Sequence, residues 1–190
     1  MRVERLCAGA SVAFLMLVTL LPADAVAWRR DALGDGAWWR LWTGPFSHWS
    51  ALHLAGNLTA AAALSVLIGP PVWRWIAVLP AVAPLLSLFL IASAPDLQQY
   101  RGLSGLLGVL VVGAGVEGGV IGRLVAGLYV VKLAVDAIEG ASSPVLPTGV
   151  AVVWQAHLGG LLLGLLVAAS FHLHRRDSAS TPTRTPSDTP

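Results

Sequence analysis

Charged residues are scarce in this chain, and cysteine is almost absent. Only 12% of the 190 residues are Asp, Glu, Lys or Arg, whereas 56% are hydrophobic. A soluble domain of this length needs a more charged surface, so the composition predicts an integral membrane protein in contact with the lipid bilayer. Cys7 is the single cysteine, which excludes an internal disulfide framework and any multi-cysteine metal site. The net charge is only +2 and no basic patch is interleaved with aromatic residues, so we expect no nucleic-acid partner.

Long apolar runs make up most of the chain. They predict an all-α polytopic membrane protein built as a bundle of six transmembrane helices. The expected spans are residues 6–21, 51–69, 75–94, 102–116, 121–138 and 149–171. Residues 1–172 would then form one membrane domain, and residues 173–190, which are rich in Ser, Thr and Pro, a polar disordered tail.

The first fifty residues contain two features that bear on membrane insertion. Ala25-Val-Ala27 fits a signal-peptidase site, so a cleaved signal peptide is one interpretation of the first apolar run. A retained first helix is favoured, because the run is long for a signal peptide and the rest of the chain is itself polytopic. Residues 27–50 contain five tryptophans, which predicts a segment lying at the level of the lipid headgroups.

The distribution of arginine predicts the orientation in the membrane. With six spans and the N-terminus inside, the inner segments hold seven arginines and the outer loops hold four. This difference follows the positive-inside rule. The polar residues discussed next would then lie near the outer ends of their helices, so we expect a site that opens to the extracytoplasmic side.

Two polar residues share one face of the second span. His53 and Asn57 are spaced i, i+4, and such side chains project from the same side of a helix. Polar groups inside a membrane span are costly and are therefore candidates for function. Asn57 and His53 could both donate hydrogen bonds to a developing oxyanion.

A serine and a histidine lie on two other apolar segments, each beside glycines. Ser104 stands between Gly102 and Gly105 at the start of the fourth span, and His157 precedes Gly160 and Gly164 in the sixth. Faces rich in glycine let helix backbones approach closely, so we expect Ser104 and His157 to meet. A histidine base can activate a serine hydroxyl as a nucleophile, and the backbone N–H of the serine can help to bind the oxyanion.

Each of these residues also has a purely structural interpretation. A lone serine bonds back to its own helix, and a lone histidine or asparagine joins helices by a hydrogen bond. Their occurrence together at one side of the membrane favours a catalytic site. Lys132 and Asp136 are spaced i, i+4 and are expected to pair with each other. We therefore expect a Ser–His dyad without a carboxylate to orient the base, no metal and no cofactor.

The motifs around these residues resemble those of the rhomboid intramembrane serine proteases. The nucleophile motif is matched by Gly102-Leu-Ser104-Gly105, the oxyanion motif by His53-Leu-Ala-Gly-Asn57 and the base motif by the stretch from Ala156 to Gly164. The resemblance implies a six-transmembrane-helix rhomboid-like bundle whose substrates are membrane-anchored proteins with a transmembrane segment. It implies that Ser104 and His157 are catalytic and that Asn57 and His53 hold the oxyanion. It further implies a structural role for six motif residues: Gly102, Gly105, Gly160, Gly164, Trp39 and Arg40.

A narrower resemblance is to the rhombosortase branch of that family. It is carried by Trp39-Arg-Leu-Trp-Thr-Gly44 and by Tyr100-Arg-Gly-Leu-Ser-Gly105. It implies a multi-pass protein of the bacterial inner membrane, with its active site facing the periplasm, that removes C-terminal sorting tails of the Gly-Gly type. The chain departs from many relatives at Gly108, where they carry a bulky side chain against the base, and Trp154 is a candidate to replace it. The alternative is a catalytically inactive rhomboid-like protein that binds or delivers transmembrane clients.

Overall fold

The computed structural model describes residues 2–139 and 143–180 and is mostly helical. The elements in chain order are α1 (Arg2–Leu20), α2 (Ala23–Val26), β1 (Trp28–Arg29), α3 (Arg30–Gly34), α4 (Arg40–Thr43), a 3-10 turn (Gly44–Phe46), α5 (Ala51–Ile68), α6 (Val72–Ala77), α7 (Leu79–Ser93), β2 (Gln99–Tyr100), α8 (Ser104–Glu117), α9 (Gly119–Glu139) and α10 (Trp154–Ser180). Helices therefore lie at each of the six predicted spans, and the third predicted span is divided into α6 and α7.

Three helices of the described chain are long and apolar enough to cross a membrane. They are α1, α5 and the Trp154–His174 part of α10. The helices α7 and α8 are apolar but shorter, and α9 carries four charged side chains. The fold is thus that of a mostly helical membrane protein with three candidate spans, and the count of six spans stays a prediction.

The last helix differs from the predicted sixth span at both ends. It begins at Trp154 and not at Gly149, which has a φ of +85° in a turn before four non-helical residues. It continues to Ser180, so residues 173–180 are helical where a disordered tail was expected. Adding residues to an existing helix requires no new nucleation, which explains the extension through a polar segment. Residues 181–190 lie outside the described residues, and the division into domain and tail stays a prediction.

The helix α8 lies at the centre of the bundle. Every residue from Gly105 to Ala114 is buried, and α5, α7, α9 and α10 all contact this helix. A helix that is apolar all round is stable only when neighbours cover every face. Its 14 residues correspond to roughly 21 Å, less than the thickness of a bilayer core, which accords with a helix shielded by others.

The loop before α5 is folded onto the start of α8 through a short antiparallel sheet. Trp28 of β1 pairs with Tyr100 of β2. The Arg30 side chain donates hydrogen bonds to the carbonyls of Ala94 (2.8 Å) and Leu97 (3.0 Å), so it caps the end of α7. Trp28 is fully buried. Trp28 therefore contacts protein on all sides, and the prediction that the tryptophans of this loop lie at the level of the headgroups stays a prediction.

Candidate active site

Ser104 is the first residue of α8 and follows a tight turn. Gly102 has a φ of +132°, a conformation that a residue with a side chain rarely adopts. The Tyr100 hydroxyl donates to the Gly102 carbonyl (2.8 Å) and accepts from the Gly105 N–H (3.2 Å). Burial raises the pKa of Tyr100 to about 12, although hydrogen bonds with Gly105 and the Ser104 side chain oppose that rise. One neutral phenol thus fixes both ends of the turn that carries the serine.

The predicted oxyanion residues lie directly against this turn. A Cβ atom on Gly102 would lie 2.6 Å from His53 Cε1, 3.0 Å from His53 Nε2 and 3.7 Å from Asn57 Nδ2. No side chain fits at that position, so the glycine allows both polar groups to reach the neighbourhood of Ser104. The i, i+4 spacing therefore has the expected result, with both residues buried on one face of α5.

Local hydrogen bonds begin α5 at the position that aims His53 inward. The Ser50 hydroxyl accepts a hydrogen bond from the His53 N–H (3.1 Å) as a helix N-cap. The Trp49 N–H in turn donates to His53 Nδ1 at 3.5 Å. In a neutral imidazole this contact places the proton on Nε2, which is the nitrogen beside Gly102. Asn57 Nδ2 is buried and has no hydrogen-bond acceptor among the described residues. Both side chains therefore offer a donor N–H.

His157 lies in the first turn of α10, beside two residues of α9. Its Nδ1 is 3.8 Å from Asp136 Oδ2. Its ring centroid is 6.1 Å from that of Tyr129, with the planes tilted by 55°. An aromatic ring therefore flanks the candidate base, and it comes from α9 and not from position 108 or from Trp154.

The glycines of α8 and α10 bring the two helices into backbone contact. A Cβ atom on Gly160 would lie 1.7 Å from the Gly105 carbonyl oxygen, and one on Gly108 would lie 2.7 Å from the Gly160 carbonyl carbon. A Cβ atom on Gly164 would lie 2.9 Å from Val109 Cα. This close approach explains why position 108 has no bulky side chain, since any such group would push α10 away.

Ser104 and His157 line one cavity of about 610 Å³ together with His53 and Asn57. The rest of its wall includes Lys132 and the mostly apolar segment from 143 to 153 that precedes α10. Four residues predicted from three separate helices are therefore gathered around one space that has a nucleophile, a base and hydrogen-bond donors. Such a set suits acyl transfer.

Trp39 and Arg40 lie away from this cavity and act on the loop. Arg40 Nη1 donates to the Ala27 carbonyl (2.7 Å), and Trp39 Nε1 donates to the Ala25 carbonyl (3.1 Å). The Arg40 guanidinium also lies 5.9 Å from the centre of the Trp39 ring. These contacts tie α4 to the chain just before β1, and β1 in turn pairs with the strand that contains Tyr100.

Sequence reasoning missed the two α9 residues that face His157. The i, i+4 spacing predicts the Lys132–Asp136 ion pair, which is present, but the carboxylate also faces the base. Tyr129 belongs to no motif in the sequence, and only its position along α9 could have identified it. Gly122, Tyr129 and Asp136 are each seven residues apart, about two helical turns, and this spacing could have identified one inward face of α9.

Comparison with known families identifies the bundle. The family model described as the Rhomboid domain matches residues 35–174, which is most of the chain and includes all four cavity residues named above. Comparison with curated proteins and with solved structures gives no match.

Proposed function

We propose, since this chain belongs to the rhomboid family, that it is an intramembrane serine endopeptidase using a Ser104–His157 dyad. The observation that carries the proposal is the cavity shared by Ser104, His157, His53 and Asn57. An inactive member that only binds clients has no need of a nucleophile, a base and two free N–H donors around one space.

The reaction follows from the positions of these groups. Ser104 Oγ attacks the carbonyl carbon of the scissile peptide, and its proton passes to His157 Nε2, because Nδ1 faces Asp136. The charge that develops on the carbonyl oxygen is stabilised by Asn57 Nδ2, His53 Nε2 and the Ser104 N–H, which is free of intrahelical bonds at a helix N-terminus. His157 then gives the proton to the leaving amine, and water hydrolyses the ester that remains on Ser104.

The substrates that we propose are membrane-anchored proteins with a transmembrane segment. The enzyme would lie in a bacterial inner membrane as a six-span bundle, with the cavity open to the periplasm. Within the family we place the chain in the rhombosortase branch, on the motifs Trp39-Arg-Leu-Trp-Thr-Gly44 and Tyr100–Gly105. The hydrogen bonds of Arg40 and Tyr100 support this, since they give both motifs a part in holding the nucleophile turn. The finer substrate is then a protein with a Gly-Gly-type C-terminal sorting tail.

The test is cleavage in a bacterial membrane. Wild type, Ser104→Ala and His157→Ala are each co-expressed with a single-span substrate that carries a Gly-rich tail, and the size of the substrate is followed on a gel. We expect cleavage by wild type alone. Cleavage that persists in Ser104→Ala would remove the proposed mechanism. If no lane shows cleavage, labelling of the membranes with a fluorophosphonate decides: Ser104-dependent labelling identifies an enzyme with another substrate, and its absence favours the client-binding alternative.

A further inference from the structure

Asp136 is a buried carboxylate on the face of α9 that meets the bundle. Its residue exposure is 7%, and its Oδ2 lies 3.8 Å from His157 Nδ1. Gly122, four turns earlier on the same face, is so close to α8 that a Cβ atom there would lie 2.0 Å from the Ala114 carbonyl oxygen. That contact fixes the rotation of α9, so Asp136 and Tyr129 are both turned toward His157.

The ion pair with Lys132 does not account for this burial. Lys132 Nζ bonds Asp136 Oδ2, but the lysine side chain is 58% exposed. The long lysine side chain can reach the carboxylate from outside the bundle, so the pair alone does not require Asp136 to face His157. The carboxylate nevertheless lies inside, beside the imidazole.

We propose that Asp136 is the positioning residue for His157, which makes the catalytic group a triad in place of a dyad; this inference rests on the proposed function. The carboxylate accepts a hydrogen bond from His157 Nδ1–H, which holds the tautomer that presents Nε2 to Ser104. It also stabilises the imidazolium that forms when the Ser104 proton moves to Nε2. Asp136 keeps its charge and takes no proton.

The geometry permits this role alongside the bond to Lys132. A carboxylate has about four acceptor positions on its two oxygens, enough for both partners. The distance of 3.8 Å is longer than a hydrogen bond, which spans about 2.7–3.2 Å, and such contacts commonly tighten when substrate binds. The Tyr129 ring faces His157 from the same helix as Asp136, with the two ring centroids 6.1 Å apart.

The test compares Asp136→Asn with Lys132→Met, a matched control that removes the ion pair but leaves the carboxylate. Cleavage kinetics give kcat and KM, and the rate of fluorophosphonate labelling of Ser104 gives a readout that needs no substrate. We expect Asp136→Asn to lower kcat and the labelling rate by about 10- to 100-fold with KM unchanged, less than the ~10⁴-fold loss in a tightly bonded triad. Lys132 lines the cavity, so we expect Lys132→Met to change KM. We expect its kcat and labelling rate to fall less than those of Asp136→Asn, because the carboxylate still faces His157.

Equal effects of the two variants would overturn the proposal, because they would assign Asp136 to the ion pair alone. The proposal would also be overturned if Asp136→Asn changed KM alone, or if its kcat and labelling rate equalled those of wild type. After any of these outcomes the proposed function still holds, provided that Ser104→Ala is inactive. Activity that persists in Ser104→Ala, or a wild type that neither cleaves nor labels, removes both.

A spectroscopic measurement keeps the proposal testable if Asp136→Asn does not fold. In wild-type protein with ¹⁵N-labelled histidine, the resonance that disappears in His157→Ala belongs to His157. We expect a downfield Nδ1–H proton there, as in a hydrogen bond to a carboxylate, and the same resonance in Lys132→Met. A His157 protonated on Nε2 alone would contradict the inference.

Discussion

The Tyr100 hydroxyl accepts a hydrogen bond from the Gly105 N–H and donates one to the Gly102 carbonyl, so a single atom bridges the turn on both sides of Ser104. The first turn of a helix leaves its N–H groups without backbone partners, and here a side chain supplies one. The turn that carries the candidate nucleophile is thus fixed from outside its own helix.

Tyr100→Phe is expected to destabilise the protein and to lower its activity. The change leaves a buried carbonyl and a buried N–H unpaired, at a cost of about 1–3 kcal/mol each, and the turn that carries Ser104 loses its anchor. We expect kcat to fall by about tenfold. The measurements are thermal unfolding in detergent and cleavage of a single-span substrate.

Tyr129→Phe is the matched control for that substitution. The Tyr129 hydroxyl is buried and has no hydrogen-bond partner in the described part of the chain. Its removal should therefore leave unfolding unchanged or raise its temperature, and the ring against His157 remains. Equal losses in the two variants would show that the hydrogen bonds of Tyr100 are not what holds the turn.

Gly160→Ala is expected to abolish activity. The added methyl would lie 1.7 Å from the Gly105 carbonyl oxygen, so α10 must move away from α8 and carry His157 with it. Gly127→Ala in α9 is the control, because nothing lies within 4 Å of a Cβ at that position. We expect this control to keep full activity and to gain about 0.5–1 kcal/mol of stability. If Gly160→Ala kept more than about a tenth of wild-type activity, the close contact of α8 with α10 would not be what aligns His157 with Ser104.

Patterns within one helix predicted much of the candidate site. The i, i+4 spacing of His53 and Asn57 and the glycines after His157 both describe one face of a regular helix, and both faces point where they were expected to. Such patterns depend only on helix geometry. The family motifs add the order of the helices along the chain.

The seven-residue spacing of Gly122, Tyr129 and Asp136 indicates an inward face of α9, but the contact of Asp136 with His157 does not follow from that spacing. The spacing to Lys132 gave the carboxylate a sufficient partner on its own helix, and the rotation of α9 against α10 depends on tertiary packing such as the Gly122 contact. The sequence also predicts too early a start for α10, at Gly149 and not at Trp154. The valine-rich stretch before Trp154 is as apolar as a span, but β-branched residues disfavour the helix and a turn at Gly149 precedes them.

His48 is expected to make stability depend on pH in the acidic range. Burial, and next the proximity of His53, lower the pKa of His48 to about 4. Between pH 6.5 and 4 this residue is protonated in the unfolded chain but neutral in the folded chain, so stability falls as the pH falls. The contribution is about 1–3 kcal/mol over this window. Unfolding in detergent at pH 7 and 4.5 should show a smaller pH effect in His48→Gln than in wild type, whereas His172→Gln, at an exposed position, should behave as wild type.

Asn57→Ala is expected to lower activity without lowering stability, a combination that distinguishes an oxyanion donor from a structural amide. Asn57 Nδ2 is buried and has no acceptor in the described part of the chain, so the folded protein bears the cost of a donor that only a reacting carbonyl can satisfy. We expect kcat to fall by about 10²- to 10³-fold while the unfolding temperature is unchanged or higher. Thr59→Ala, at an exposed position of the same helix, should change neither quantity. A loss of stability in Asn57→Ala that matches its loss of activity would mean that the amide joins helices and does not bind the oxyanion.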